Sequence, residues 1–326
     1  MKRLSYIGIL WIILASYTYG QLVNINEEYR GDPFISKINM QQLERNCKRD
    51  ANYEQMSATD REKDDNRCPL RHLTFNFRTL TDSIITISDS IYLSNYLTIQ
   101  LRKEFYENTK DRNYQGCGLS LAMINDDRNQ SQINLTYWYE NQTTSQITDY
   151  QYHYIAPSGD IYTLLSKETD TGITPLLWKH YKIDTEKMKF ILKEMIINDE
   201  VTKTHYQIIY PTQFNVLSSG KLAIDSKQAL RDLCLAENDD KYDKCYFTAY
   251  NYYLNELKQK ITSLDAKKKS KINTFPKLKQ DVDAICLMTQ TPSYPNDINP
   301  YLADITGCFI QYFKDEIKQT EEELAK

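Results

Sequence analysis

From Cys117 to Asp225 the chain reads as one short alternating run after another, each closed by turn-forming residues. Side chains of an extended strand point to opposite faces in turn, so apolar–polar alternation marks a strand with one face in a core. Strands that follow one another through tight turns pair antiparallel. The runs fall at 117–125, 132–141, 150–156, 160–167, 187–197, 201–210, 214–218 and 221–225. Ala156-Pro157-Ser158-Gly159 has the Pro and Gly placement of a type I turn, and Asn198-Asp199 and Ser218-Ser219-Gly220 are hairpin signals. The expectation is an antiparallel meander of about seven or eight strands.

Before the meander, Leu80, Ile84, Ile87, Ile91, Thr98, Leu101 and Phe105 recur at steps of three, four or seven. That stripe predicts a long amphipathic helix over 81–106, capped by Thr81 or Asp82 and packed on the sheet. After Asp225 the alternation stops and helical spacing takes over. SKQALRDLCLAEN is short, and Phe247, Tyr250, Leu254, Leu257, Ile261 and Leu264 mark a longer helix. Leu278, Val282 and Ile285 give a third helix, and Leu302, Ile305, Phe309, Tyr312, Phe313 and Ile317 a last one. The fold class is therefore α+β: a long helix on an antiparallel meander, then a disulfide-stapled helical region. Four segments follow: a signal peptide over 1–20, a polar segment over 21–71, the helix-plus-sheet domain over 72–225, and the helical region over 226–326.

The compartment comes from three features. Lys2 and Arg3 precede an apolar run from Leu4 to Ala15 and a small-residue end at Gly20, the layout of a secretory signal cleaved before Gln21. Seven cysteines (Cys47, Cys68, Cys117, Cys234, Cys245, Cys286 and Cys308) have no Cys-x-x-Cys or His spacing suited to zinc, so disulfides are expected. Cys47 and Cys68 tie down the polar segment, Cys234 pairs with Cys245, and Cys286 staples the last two helices through Cys308. Third, Asn129, Asn134 and Asn141 each begin an Asn-x-Ser/Thr triplet. In INLTYWYE, Ile133, Leu135, Tyr137 and Tyr139 share one face, and Asn134, Thr136, Trp138 and Glu140 share the other. A glycan on Asn134 makes that second face the wet one, and Asn129 and Asn141 fall in flanking turns.

Chemistry is harder to find. Gln115-Gly116-Cys117-Gly118-Leu119-Ser120-Leu121-Ala122 resembles the nucleophile region of papain-like proteases, which implies a nucleophile at Ser120 opening a helix, with His153, His180 or His205 as base. The segment alternates as a strand instead, which fits a Gly-rich turn entering a strand beside a disulfide cysteine. His153 and His205 fall by parity with Gln151 and Gln207 on polar strand faces. Glu194 interrupts the apolar face of MKFILKEMII, which a bulge would relieve by turning it outward. ENDDKYD at 237–243 lacks the glycine and terminal glutamate of a calcium loop, and KKKSK is a solvated helix end. No cofactor or metal is expected, and a net charge of −4 gives no reason to expect nucleic acid.

The leading expectation is a secreted or lumenal, non-enzymatic glycoprotein acting through a protein partner, self-association or a matrix role, with no stable membrane span in the mature chain. An alternative is a carrier of a small apolar ligand between helix and sheet, lined by Ile84, Ile87, Ile91, Ile133, Leu135, Tyr137, Phe190, Leu192, Tyr206 and Ile208. Another is a hydrolase without a recognisable motif.

Overall fold

A computed structural model describes residues 25, 27–73, 90–94, 97–102, 114–125, 128–141, 146–218, 224, 226–235, 239–268, 274–289 and 298–326. The class is α+β, built on an antiparallel meander, and the chain divides into two compact units, Met1–Leu192 and Lys193–Lys326. Among the described residues no helix is long and apolar enough to cross a membrane. The signal segment lies outside the described residues.

In the first unit, β1 (Ser90–Ser94), β2 (Leu97–Arg102), β3 (Tyr114–Asn125), β4 (Arg128–Asn141), β5 (Gln146–Ile155), β6 (Asp160–Thr169) and β7 (Gly172–Asp184) each pair antiparallel with the next. Among the described residues the expected helix over 81–106 is not seen. Ser90–Ser94 and Leu97–Arg102 form a hairpin instead, and β2 runs in register with β3 from Leu97↔Met123 to Arg102↔Gly118. The rest of that helix, including Ile84 and Ile87, lies outside the described residues. The segment is rich in Ile, Thr and Tyr, which suit a pleated surface better than a helix.

β7 is a strand the alternation did not reveal. Pro175 sits inside it, at a register shift where Leu165 and Ser166 of β6 face Leu177 and Pro175. A strand takes proline at such a shift because no ladder donor is needed there.

The polar N-terminal segment folds into short helices. Helix α1 (Met40–Cys47) starts at Asn39, whose side chain accepts from Gln42 N at 2.9 Å. Helix α2 (Ala58–Asp65) starts at Ser57, which accepts from Asp60 N. The Cys47–Cys68 disulfide joins the end of α1 to the turn after α2. This segment is sewn to the sheet by two isolated bridges, Gly31↔Tyr154 and Lys48↔Gly172. Both glycines have positive φ (79° and 116°), and a Cβ there would lie 2.1 Å from His153 O and 2.2 Å from Cys47 O. Trp178 Nε1 donates to Ile35 O at 2.8 Å, and Arg71 pairs with Asp65 (3.2 Å) and Glu168 (3.0 Å). The segment is thus a tight cover for β5–β7.

The second unit takes the end of β8 (Lys189–Asp199), then β9 (Thr204–Ile209) and β10 (Gln213–Ser218), paired antiparallel in that order. The β8–β9 turn is at 200–203, two residues beyond the expected Asn198-Asp199, because Asp199 Oδ1 accepts from the Val201 and Thr202 amides and stabilises the later turn. Helices α3 (Lys227–Cys234), α4 (Asp239–Lys268), α5 (Phe275–Thr289) and α6 (Ile298–Ala325) follow. Of the expected last strand, Ile224 alone is described, and it is not in a strand. The core is aromatic. Phe214 lies 5.3 Å from Tyr250 and 4.9 Å from Phe309 between ring centroids, and Tyr250 lies 5.7 Å from Phe313. Cys234–Cys245 ties α3 to α4, and Cys286–Cys308 ties α5 to α6, the pairings expected from the sequence.

Candidate functional site

Along α4 two stripes run side by side. Phe247, Tyr250, Leu257, Ile261 and Leu264 are buried in the aromatic core. Tyr252, Asn255, Glu256, Gln259, Lys260 and Ser263, at helical steps of three and four, line a groove of about 610 Å³, with Ile224 and Leu324 at its margins. The volume lies within the roughly 300–1,000 Å³ typical of small-molecule sites. Both charged residues of the stripe are paired: Glu256 with Lys227 at 3.6 Å, and Lys260 with Glu321 at 2.6 Å. The Glu321 carboxyl is held below its ordinary range by the Lys260 hydrogen bond and charge. Glu256 Oε2 is buried and makes no hydrogen bond among the described residues. The described lining therefore consists of amide, hydroxyl and tyrosine side chains around two ion-paired charged residues. Sequence reasoning missed it, because a polar helical stripe reads as a solvated face.

A second polar feature lies in the first unit. His153, Thr163 and Lys179 face one another in register across β5, β6 and β7, and all are buried. Burial lowers His153 to about 4, against a smaller opposing pull from its hydrogen bond with Tyr29 O at 2.9 Å, and lowers Lys179 to about 7. His153 was expected on a polar surface, but the N-terminal segment covers it: Asp32 N donates to His153 O beside the Gly31 bridge. His205, expected likewise, is 6 % exposed and bonded to Ser218 Oγ at 2.8 Å.

The remaining candidates fall as follows. Gly116–Ala122 lies inside β3, with Ser120 buried, so the protease-like segment opens no helix. Ser158 Oγ donates to Asp160 Oδ2 at 2.6 Å, and Asp160 Oδ1 meets His180 Nε2 at 2.9 Å. Burial opposes the Asp160 charge, yet these bonds with the His180 and Lys182 charges bring its pKa below the ordinary value. The serine is bound to the carboxylate and not to the imidazole, so this order of groups does not activate a nucleophile. Glu194 needs no bulge. β8 and β9 are in unbroken register from Glu194↔Ile209 to Asp199↔Thr204, and Gln207 Nε2 donates to Glu194 Oε1 at 2.6 Å.

The expected apolar pocket loses its helix. Ile91 is on β1, Leu135 is fully buried, and Tyr206 packs on Phe214 and Phe247 at 5.5 and 6.0 Å. Ile133, Tyr137, Phe190 and Leu192 are half-buried on β4 and β8, and Ile208 is buried on β9. Among the described residues no cluster of three or more His, Cys, Asp or Glu could hold a metal.

Asn134 is exposed, as its triplet requires, but its strand does not keep the expected faces. Leu119 pairs with Thr136 while Ser120 pairs with Asn134, so Leu135 is an extra residue in β4. Beyond it parity inverts, and Thr136 and Trp138 turn inward at 0 % and 7 % exposure. Thr136 Oγ1 donates to Gln151 O at 2.6 Å. Asn129 is exposed near the start of β4, and Asn141 is its last residue, so neither stands in a turn. Cys117 lies on β3 in register with Trp138.

Fold and bridges together define a disulfide-bonded α+β protein on an antiparallel meander. Comparison with family models, curated proteins and solved structures finds no match.

Proposed function

We propose that the protein is a secreted or lumenal glycoprotein that acts by binding, through a protein partner or self-association, and not by catalysis. The observation that carries this is the set of disulfides Cys47–Cys68, Cys234–Cys245 and Cys286–Cys308, each joining neighbouring elements within a unit. Such bonds form and persist in oxidising compartments. The N-terminal basic and apolar run supports the same route, as do the exposed Asn129 and Asn134 on one strand. Glycosidase treatment of the protein secreted from its own cells tests the reading. The expected result is increased gel mobility, with the peptide spanning Asn129–Asn141 losing the mass of its glycans. Unchanged mobility, together with free thiols at the paired cysteines, would overturn it.

A further inference from the structure

We infer that the Cys234–Cys245 disulfide is a thiol-exchange switch: a small thiol such as glutathione opens it and thereby releases helix α3 from α4. This goes beyond the binding reading and does not rest on it. The three bridges differ in what they present to solvent. Cys47 and Cys68 are 3 % and 2 % exposed, and Cys286 is 0 % exposed. Cys234 is exposed at the end of α3, and Cys245 is half-buried. Leu235, next to Cys234, is 71 % exposed, so this end of α3 stands in solvent. A thiolate must reach a sulfur to exchange with it, so rates follow access, and exposed disulfides are the labile ones. Cys308 is half-buried, but attack there would expel a thiolate onto the fully buried Cys286, where a charge is unfavourable.

The exchange has two steps. A glutathione thiolate attacks Cys234 Sγ and forms a mixed disulfide there. The Cys234–Cys245 bond breaks, and its electron pair leaves on Cys245, which takes a proton from water. A second glutathione thiolate attacks the glutathione sulfur, so oxidised glutathione departs and Cys234 is left as a thiol. The structural effect follows from how little else holds α3. It has eight residues, fewer than the about 12 that an isolated helix needs. Leu230 alone among them is buried. In the Lys227–Glu256 pair at 3.6 Å the lysine side chain is 66 % exposed, and such a pair adds little. The elements joined by the other two bridges are also held by packing. Phe309 and Phe313 seat α6 in the aromatic core, Val282 and Leu287 of α5 are buried, and so are Met40 and Leu43 of α1. Opening those bridges lowers stability without freeing a helix.

The test uses the full protein, purified from its own source without reductant. Reduced glutathione is added under native conditions, thiols are trapped with N-ethylmaleimide at timed points, and peptide mass spectrometry reads each cysteine. Cys234 and Cys245 are expected to open about tenfold or more faster than Cys47, Cys68, Cys286 and Cys308, with a glutathione adduct on Cys234 at early times. Hydrogen exchange on the opened protein should show the amides of Lys227–Cys234 losing protection while those of Phe275–Thr289 keep theirs. Cys234→Ser combined with Cys245→Ser should show the same loss with no thiol added. Equal opening of the three bridges, earlier opening of Cys47–Cys68 or Cys286–Cys308, or α3 amides still protected once Cys234–Cys245 is open would each overturn the inference. Trapping and exchange are read on the natural chain, so they decide the matter even if the double variant fails to fold.

Discussion

The most informative single residue for stability is Asp283. β10 has β9 on one side, and on its other side the Phe214 backbone is met by helix α5. Phe214 N donates to Asp283 Oδ2 at 3.0 Å, and Lys279 Nζ donates both to Phe214 O at 2.8 Å and to Asp283 Oδ2 at 2.6 Å. One lysine and one aspartate, four residues apart on a helix, thus satisfy the backbone groups that a further strand would otherwise pair. The Asp283 side chain is 3 % exposed, and its Oδ1 is buried without a hydrogen bond among the described residues. Burial raises its pKa above the ordinary 3.8, and the Lys279 charge and the Phe214 amide offset that only in part.

Asp283→Ala leaves the Phe214 amide buried without an acceptor, at about 1–3 kcal/mol, and strips Lys279 of its partner, for a total near 3 kcal/mol. Asp283→Asn keeps the acceptor and removes the buried charge, so its effect should stay below about 1 kcal/mol. Lys279→Met is the reverse case: it strands a buried carboxylate and should lower stability by about 3–5 kcal/mol at neutral pH. Because the folded pKa of Asp283 is raised, the folded state holds its proton longer than the unfolded chain. The stability Lys279→Met lacks at neutral pH should therefore return as pH falls toward the raised value. Urea unfolding followed by the helical circular-dichroism signal measures all three variants. Equal small effects for Ala and Asn, or a Lys279→Met deficit that does not shrink on acidification, would refute this account of the edge.

Other outcomes follow from the same geometry. Gly31→Ala and Gly172→Ala each force a Cβ against backbone at positive φ and should destabilise the first unit by about 2 kcal/mol or more, seen as earlier loss of Trp138 and Trp178 fluorescence in urea. His153 is held neutral, its pKa lowered from 6.5 to about 4, so the unfolded chain takes the proton first as pH falls. Stability should drop by about 3 kcal/mol across that window, and His153→Gln should flatten the drop in tryptophan-monitored acid titrations. Cys286→Ser with Cys308→Ser opens a loop of 22 residues and should lower the stability of the second unit by about 3 kcal/mol in urea unfolding.

Much of the second unit was legible because its signals are local. Phe247, Tyr250, Leu257, Ile261 and Leu264 keep helical spacing and are buried as a set, and cysteines 11 and 22 residues apart join adjacent helices. Ile285 and Tyr312 belonged to the expected stripes but are 40 % and 37 % exposed, because Cys286 and Leu287 of α5 and Phe309 and Phe313 of α6 face the core instead. The first unit was harder for physical reasons. Ile91, Leu93, Leu97, Ile99 and Leu101 alternate within two short strands, but Ile91, Thr98 and Leu101 also fall seven and three residues apart, the steps of a helical stripe. A single extra residue at Leu135 turns Thr136 and Trp138 to the face opposite the expected one, which no period count detects. The buried state of His153 depends on a cover more than a hundred residues away in sequence.

The most direct test of the functional account is the native mass of the protein purified from its own secretions, with N-glycans removed. The account predicts a chain beginning near Gln21 with its disulfides intact, present as a self-assembly or with a bound partner or ligand that denaturation releases. A bare monomer that retains residues 1–20, with reduced cysteines and no mass lost to glycosidase, would contradict it.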